Sequence, residues 1–172
     1  MAFELIAALI AAATVGLLAW ALRRWRPGLP SWTVPFAAAM GLITFTIWSE
    51  YNWFSRVTAE LPPELEVVAV QNEAMPLRPW TYLAPIKMRF VALDHRKTLV
   101  HPQKAGLRMV TLYSFARWKS VAEGLMAVDC AGQRQALIVE GVEITAEGEL
   151  VGGDWLPAAA EDQVQAAACK EG

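Results

Sequence analysis

Two cysteines and two histidines carry most of the chemistry open to this chain of 172 residues. His95 and His101 stand six positions apart with Asp94 beside the first, a set that a loop can gather around a metal such as zinc. Arg96, Lys97 and Lys104 share that stretch, so the plainer reading is a solvated basic loop facing acidic headgroups or an acidic partner. No serine or cysteine nucleophile stands with a base, and Asp129 reads first as a hydrogen-bonded strand-end carboxylate and only second as an acid. Gly152-Gly153 is too short for a phosphate loop, and no CxxC or CxxCH is present for thiol exchange or covalent haem. No catalytic residue, metal or cofactor is expected, and the chain reads as a non-enzyme.

The elements that must position these residues begin with two uncharged apolar stretches. Leu5 to Leu22 and Trp32 to Ser49 are each close to the roughly 20 residues that a helix needs to cross a bilayer. Between them lie Arg23-Arg24-Trp25-Arg26 and the helix breakers Pro27, Gly28 and Pro30. A short link rich in arginine stays cytoplasmic, so both termini are expected outside, in the periplasm of a bacterial inner membrane. Both cysteines, Cys130 and Cys169, fall on that outer side, where thiols pair readily, which argues for a disulfide between them. A cleaved signal peptide is the competing reading of the first stretch, but the arginines follow the apolar run instead of preceding it.

Trp20, Trp25 and Trp32 fall near the cytoplasmic boundary, and Trp48, Tyr51 and Trp53 near the other, as amphipathic rings settle at headgroup level. Ala8, Ala12 and Gly16 recur on the first helix, and Ala37 and Gly41 on the second. These small residues either hold the hairpin together or form a docking face for another membrane subunit. Neither span holds a histidine or a charge, which disfavours membrane haem and proton transport.

Beyond Glu50 the composition changes. Of the 15 Lys and Arg, Arg23, Arg24 and Arg26 precede Glu50, leaving twelve against sixteen Asp and Glu counted from Glu50 itself, so nucleic-acid binding is not expected. The domain organisation reads as a hairpin over 1–54 with helices over 5–22 and 32–50, a proline-rich extended connector over 55–85, and a periplasmic α+β domain over 86–172. The connector carries a possible strand at Leu65 to Val70, and Trp80 and Tyr82 are expected buried against the domain, the alternative being a partner surface.

Alternation from Ile86 to Ala92 and from Leu107 to Phe115 predicts antiparallel strands joined by a long polar loop, Asp94 to Gly106. Gly124 to Cys130 and Gln133 to Ile144 form a further pair around the turn Cys130-Ala131-Gly132. From Pro157 onward the pattern turns helical, with Glu161 and Asp162 at its start, Val164, Ala167 and Ala168 on one face and Cys169 at its end.

The run Val128-Asp129-Cys130, then Arg134, Trp155, Pro157 and Ala168-Cys169-Lys170, resembles the C-terminal half of the surface-adhesin protein E family. The resemblance covers residues 107 to 170. It implies a short antiparallel sheet with a C-terminal helix tied back by the Cys130–Cys169 disulfide, and structural roles for Arg134 and Trp155. The named adhesins bind host matrix proteins, whereas a domain held at the inner membrane is out of a host cell's reach. Two functions are therefore expected. The first is an accessory subunit of a larger inner-membrane complex, docked through the hairpin in the lipid bilayer against other integral membrane subunits. The second is a tethered module that recognises a periplasmic protein or envelope component through the loop holding His95, Arg96, Lys97 and His101 or through a sheet edge.

Overall fold

The computed structural model describes residues 2–76, 78–159 and 162–170. The chain divides into two units, 1–56 and 57–172.

In the first unit, α1 (Ala2–Trp25) is built from alanine and leucine, with Glu4 in its first turn and Arg23 and Arg24 in its last, where each charge complements the helix dipole. Pro27, Gly28 and Pro30 prevent its continuation. The second helix, α2 (Thr33–Ala59), accepts Pro35 in its first turn and continues past the expected end near residue 50. Within α1, Phe3–Trp25 has a mean hydropathy of 2.4 and is almost unburied. Among the described residues it is the one helix both long and apolar enough to cross a membrane. Thr44, Thr46, Trp48, Ser49 and Glu50 hold α2 below that level of apolarity.

The second unit is an antiparallel sheet with one helix on its face. Its strands are β1 (Leu65–Glu73), β2 (Ile86–Val100), β3 (Leu107–Ala116), β4 (Ala122–Asp129), β5 (Arg134–Ile138), β6 (Glu143–Ile144), β7 (Leu150–Val151) and β8 (Leu156–Pro157). Six of them form one sheet in the order β1-β2-β3-β4-β5-β8, and β6 pairs with β7 separately. One face buries Val68, Leu93, Val110 and Val128 beneath Val164, Ala167, Ala168 and Cys169 of α3 (Gln163–Cys169). The alanines let the helix backbone lie close to the sheet. On the other face Phe90 stacks on its cross-strand partner Phe115, with ring centroids 4.7 Å apart.

Four sequence expectations change here. The 55–85 segment is more than an extended connector: α2 occupies it to Ala59, and the possible strand at Leu65 to Val70 is part of β1, an edge strand that runs on to Glu73 with the prolines on either side of it. The polar run after Asp94 is mostly strand as well. Asp94 faces Thr111 and Leu99 faces Met109, so His95 to Thr98 form a bulge opposite Val110 alone, and only His101 to Gly106 turn. Pro157 does not open the helix; it pairs with Arg134 at the sheet edge, where its missing N–H costs no ladder bond, and Asp162 caps α3 instead. Glu161 lies outside the described residues.

Trp80 and Tyr82, expected buried, are exposed on a 3₁₀ turn (Pro79–Tyr82) that buries Thr81 between them. The Thr81 hydroxyl donates to the Arg78 carbonyl at 2.7 Å and accepts from the Met75 amide at 2.8 Å, so a polar side chain is the buried anchor of this loop.

Candidate functional site

β4 ends in a turn that draws together most of the polar residues singled out near the cysteines. Asp129 Oδ1 accepts from the amides of Ala131 and Gly132 at 3.1 and 3.0 Å, and Oδ2 accepts from Arg134 Nε at 2.8 Å. The Arg134 guanidinium lies 4.8 Å from the ring centroid of Trp155. Next in the chain, Cys130 is bonded to Cys169. Lys104, Leu107, Arg134, Gly148 and Trp155 surround a cleft of about 290 Å³.

Burial raises the Asp129 pKa, but the Gly132 amide and the Arg134 guanidinium outweigh it and hold the carboxyl below its usual value. Asp129 is thus a fixed acceptor that shapes a turn. The sign of its pH effect follows: its stabilisation is complete above the unfolded value of 3.8 and is lost as pH falls through the lower folded value. Asp129→Asn should therefore weaken the domain at pH 6 and flatten the loss of stability below pH about 4, as read from urea midpoints across pH.

The four residues of the expected binding loop are spread among separate partners. His95 Nε2 lies 2.9 Å from Glu66 Oε2, and Lys170 Nζ donates to the other oxygen of Glu66 at 2.6 Å. These bonds, Lys170's the larger, lower the Glu66 pKa. Arg96 lies near Glu64 and Asp94. Lys97 donates to Tyr113 Oη at 2.6 Å and to Glu123 at 3.0 Å. His101 accepts from the Gln103 amide through Nδ1 and so presents its Nε2 proton to the Thr145 carbonyl, 3.2 Å away. The two histidines do not meet.

Beside His101 the structure opens a cleft that the sequence reading missed. Leu99, Val100, Pro102, Leu107, Met109 and Ile144 line a largely apolar space of about 300 Å³, with Leu99 and Val100 more than half exposed. The available signal was an apolar pair, Leu99-Val100, closing an otherwise charged run.

In the helical unit the small residues face inward. A Cβ on Gly16 would lie 3.2 Å from Ala38 Cβ, and one on Gly41 would lie 2.9 Å from Val15 Cβ and 3.3 Å from the Ala11 carbonyl. Ala8, Ala12 and Ala37 are half-buried along the same seam, while Leu5, Leu9, Leu17 and Leu18 are exposed. Gly41→Leu should force α1 and α2 apart at a cost of about 1–3 kcal/mol, visible as earlier unfolding of the full chain in an SDS titration.

A groove of about 450 Å³ remains on the outside of the helical unit, lined by Val15, Met40, Gly41, Thr44, Phe45 and Trp48. Trp20, Arg23, Arg24 and Pro27 border a cleft of about 290 Å³ near the other end, with Trp25, Arg26 and Trp32 exposed nearby in the chain. Trp53 is half-buried.

No protein-family model, curated protein or solved structure matches this chain.

Proposed function

We propose that this chain is a non-catalytic accessory subunit of a bacterial inner-membrane complex. Two membrane spans, α1 and the apolar part of α2, dock against a larger integral subunit, and the sheet domain caps the periplasmic face. The observation that carries this reading is the groove along Met40, Gly41, Thr44, Phe45 and Trp48. Gly16 and the alanines are already used between α1 and α2, so this groove, which opens where Gly41 meets Val15 at the edge of that seam, is an apolar concavity available to a partner helix. The arginine cluster between the helices supports a cytoplasmic link and periplasmic termini. Mild extraction from native membranes, native gel separation and mass spectrometry test the idea. Larger membrane subunits in fixed ratio support it, and a lone chain or homo-oligomer overturns it.

A second reading is a tethered periplasmic binding module, favoured by the exposed apolar cleft at Leu99 and Val100. Leu99→Asp should then abolish capture of a periplasmic partner while leaving the fold intact. Unchanged capture removes this reading.

A further inference from the structure

We propose that one end of the sheet domain, carrying the loops of residues 74–85 and 117–121, rests in the headgroup layer of the bilayer that anchors the chain. The inference builds on the membrane-anchored reading above. β1 ends, β2 begins, β3 ends and β4 begins at this same end of the sheet, so the two loops are neighbours. The Arg117 amide donates to the Met88 carbonyl at 3.1 Å and ties one loop to the strand that leaves the other.

The side chains these loops present are those of a membrane interface. Leu83 is 92% exposed, Tyr82 62% and Trp118 49%. Buried Thr81 and the Met75–Arg78 bridge fix the first loop, so Leu83 is held outward by a built turn. Trp118 has φ of 74°, a left-handed conformation rare for a bulky residue, and the Arg117 guanidinium lies 4.9 Å from its ring centroid. A strained, exposed tryptophan and a fixed, exposed leucine thus project from the same end of the sheet, together with exposed Trp80, Tyr82 and Val121, and apolar side chains gathered at one end mark an interaction surface.

Charge favours lipid as the occupant. Lys87, Arg89 and Lys119 are exposed at this end and Arg78 is half-buried, against Glu73 and Glu123, so the end carries more cations than carboxylates although the chain from Glu50 onward is net acidic. Aromatic rings, an apolar tip and cations suit an anionic bilayer surface. Chain length permits the contact. The part of α2 after Glu50 rises about 14 Å at 1.5 Å per residue, and the nine residues of β1 span about 30 Å, enough to return to the surface.

The test uses the full chain in vesicles of phosphatidylethanolamine and phosphatidylglycerol, with the photoreactive residue p-benzoylphenylalanine replacing Leu83, Leu99 or Leu9 in turn. Leu99 is a matched control, 65% exposed but at the opposite end of β2. Mass spectrometry after illumination should find about tenfold more lipid adduct at position 83 than at position 99. Equal yields at 83 and 99, or adducts at 83 to protein only when the experiment is repeated in native membranes, overturn the proposal. Adduct at position 9 without adduct at 83 leaves the anchor standing and removes the lipid-facing end. No adduct at 9 or 83 removes both.

Discussion

Replacing Cys130 and Cys169 together with alanine should lower the stability of the sheet domain by about 4 kcal/mol, on the chain-entropy model for the 39-residue separation of these cysteines. That is a large share of the roughly 5–15 kcal/mol by which domains are usually stable. The effect is concentrated in α3. At seven residues it is too short to persist alone, and its apolar face is mostly alanine. Besides the Gln165 Nε2 bond to the Asp129 carbonyl and the Lys170–Glu66 pair, three devices hold it. Asp162 accepts from the amides of Val164 and Gln165 at its start. Arg108 Nη1 donates to the carbonyls of Ala168 and Lys170 at its end, at 2.9 Å each. The disulfide provides the third. Without the bridge, detachment of α3 would expose Val68, Leu93, Val110 and Val128. Urea titration of the full chain in detergent, with and without reductant, reads the loss, and hydrogen exchange at Ala167 and Ala168 should rise with it. A shift smaller than about 1 kcal/mol would mean that the hydrogen bonds at the helix ends and its packing on the sheet hold it without the bridge.

What the sequence revealed depended on whether one physical signal dominated locally. β3, β4 and the turn after Asp129 were legible because alternation and a glycine turn pointed the same way. The edge strand β1 was legible at Leu65 to Val70, but the prolines around it favoured an extended connector and hid that it runs on to Glu73 and joins the sheet. The bulge at His95 to Thr98 was illegible, because it breaks the two-residue period and leaves charged side chains inside a strand, where they resemble a loop. Apolarity suggested that Trp80 and Tyr82 were buried, yet the buried residue is Thr81, whose hydroxyl finds two backbone partners. The glycine stripes were visible, but not that they close on each other; that depends on the relative rotation of α1 and α2, which spacing alone does not set.

Phe90→Ala should be the other costly substitution, at about 3–5 kcal/mol. Phe90 is wholly buried, stacks almost parallel on Phe115 and pairs with Val70 of the edge strand. Its loss leaves a cavity that three strands must share, and the sheet ladder limits how far they can collapse into it. Phe90→Leu keeps most of the volume and should cost about 1.5 kcal/mol or less, which separates cavity formation from loss of aromatic stacking. The position also has a local consequence. Phe90 lies near the sheet end where the Arg117 amide bonds to the Met88 carbonyl, so Phe90→Ala should speed hydrogen exchange at Arg117 more than at Ala127 in the middle of β4. If exchange at Arg117 stays slow, the exposed loops at this end are held by Thr81 and their own backbone bonds. If it quickens, the aromatic stack beneath them is what keeps Trp118 and Leu83 facing outward.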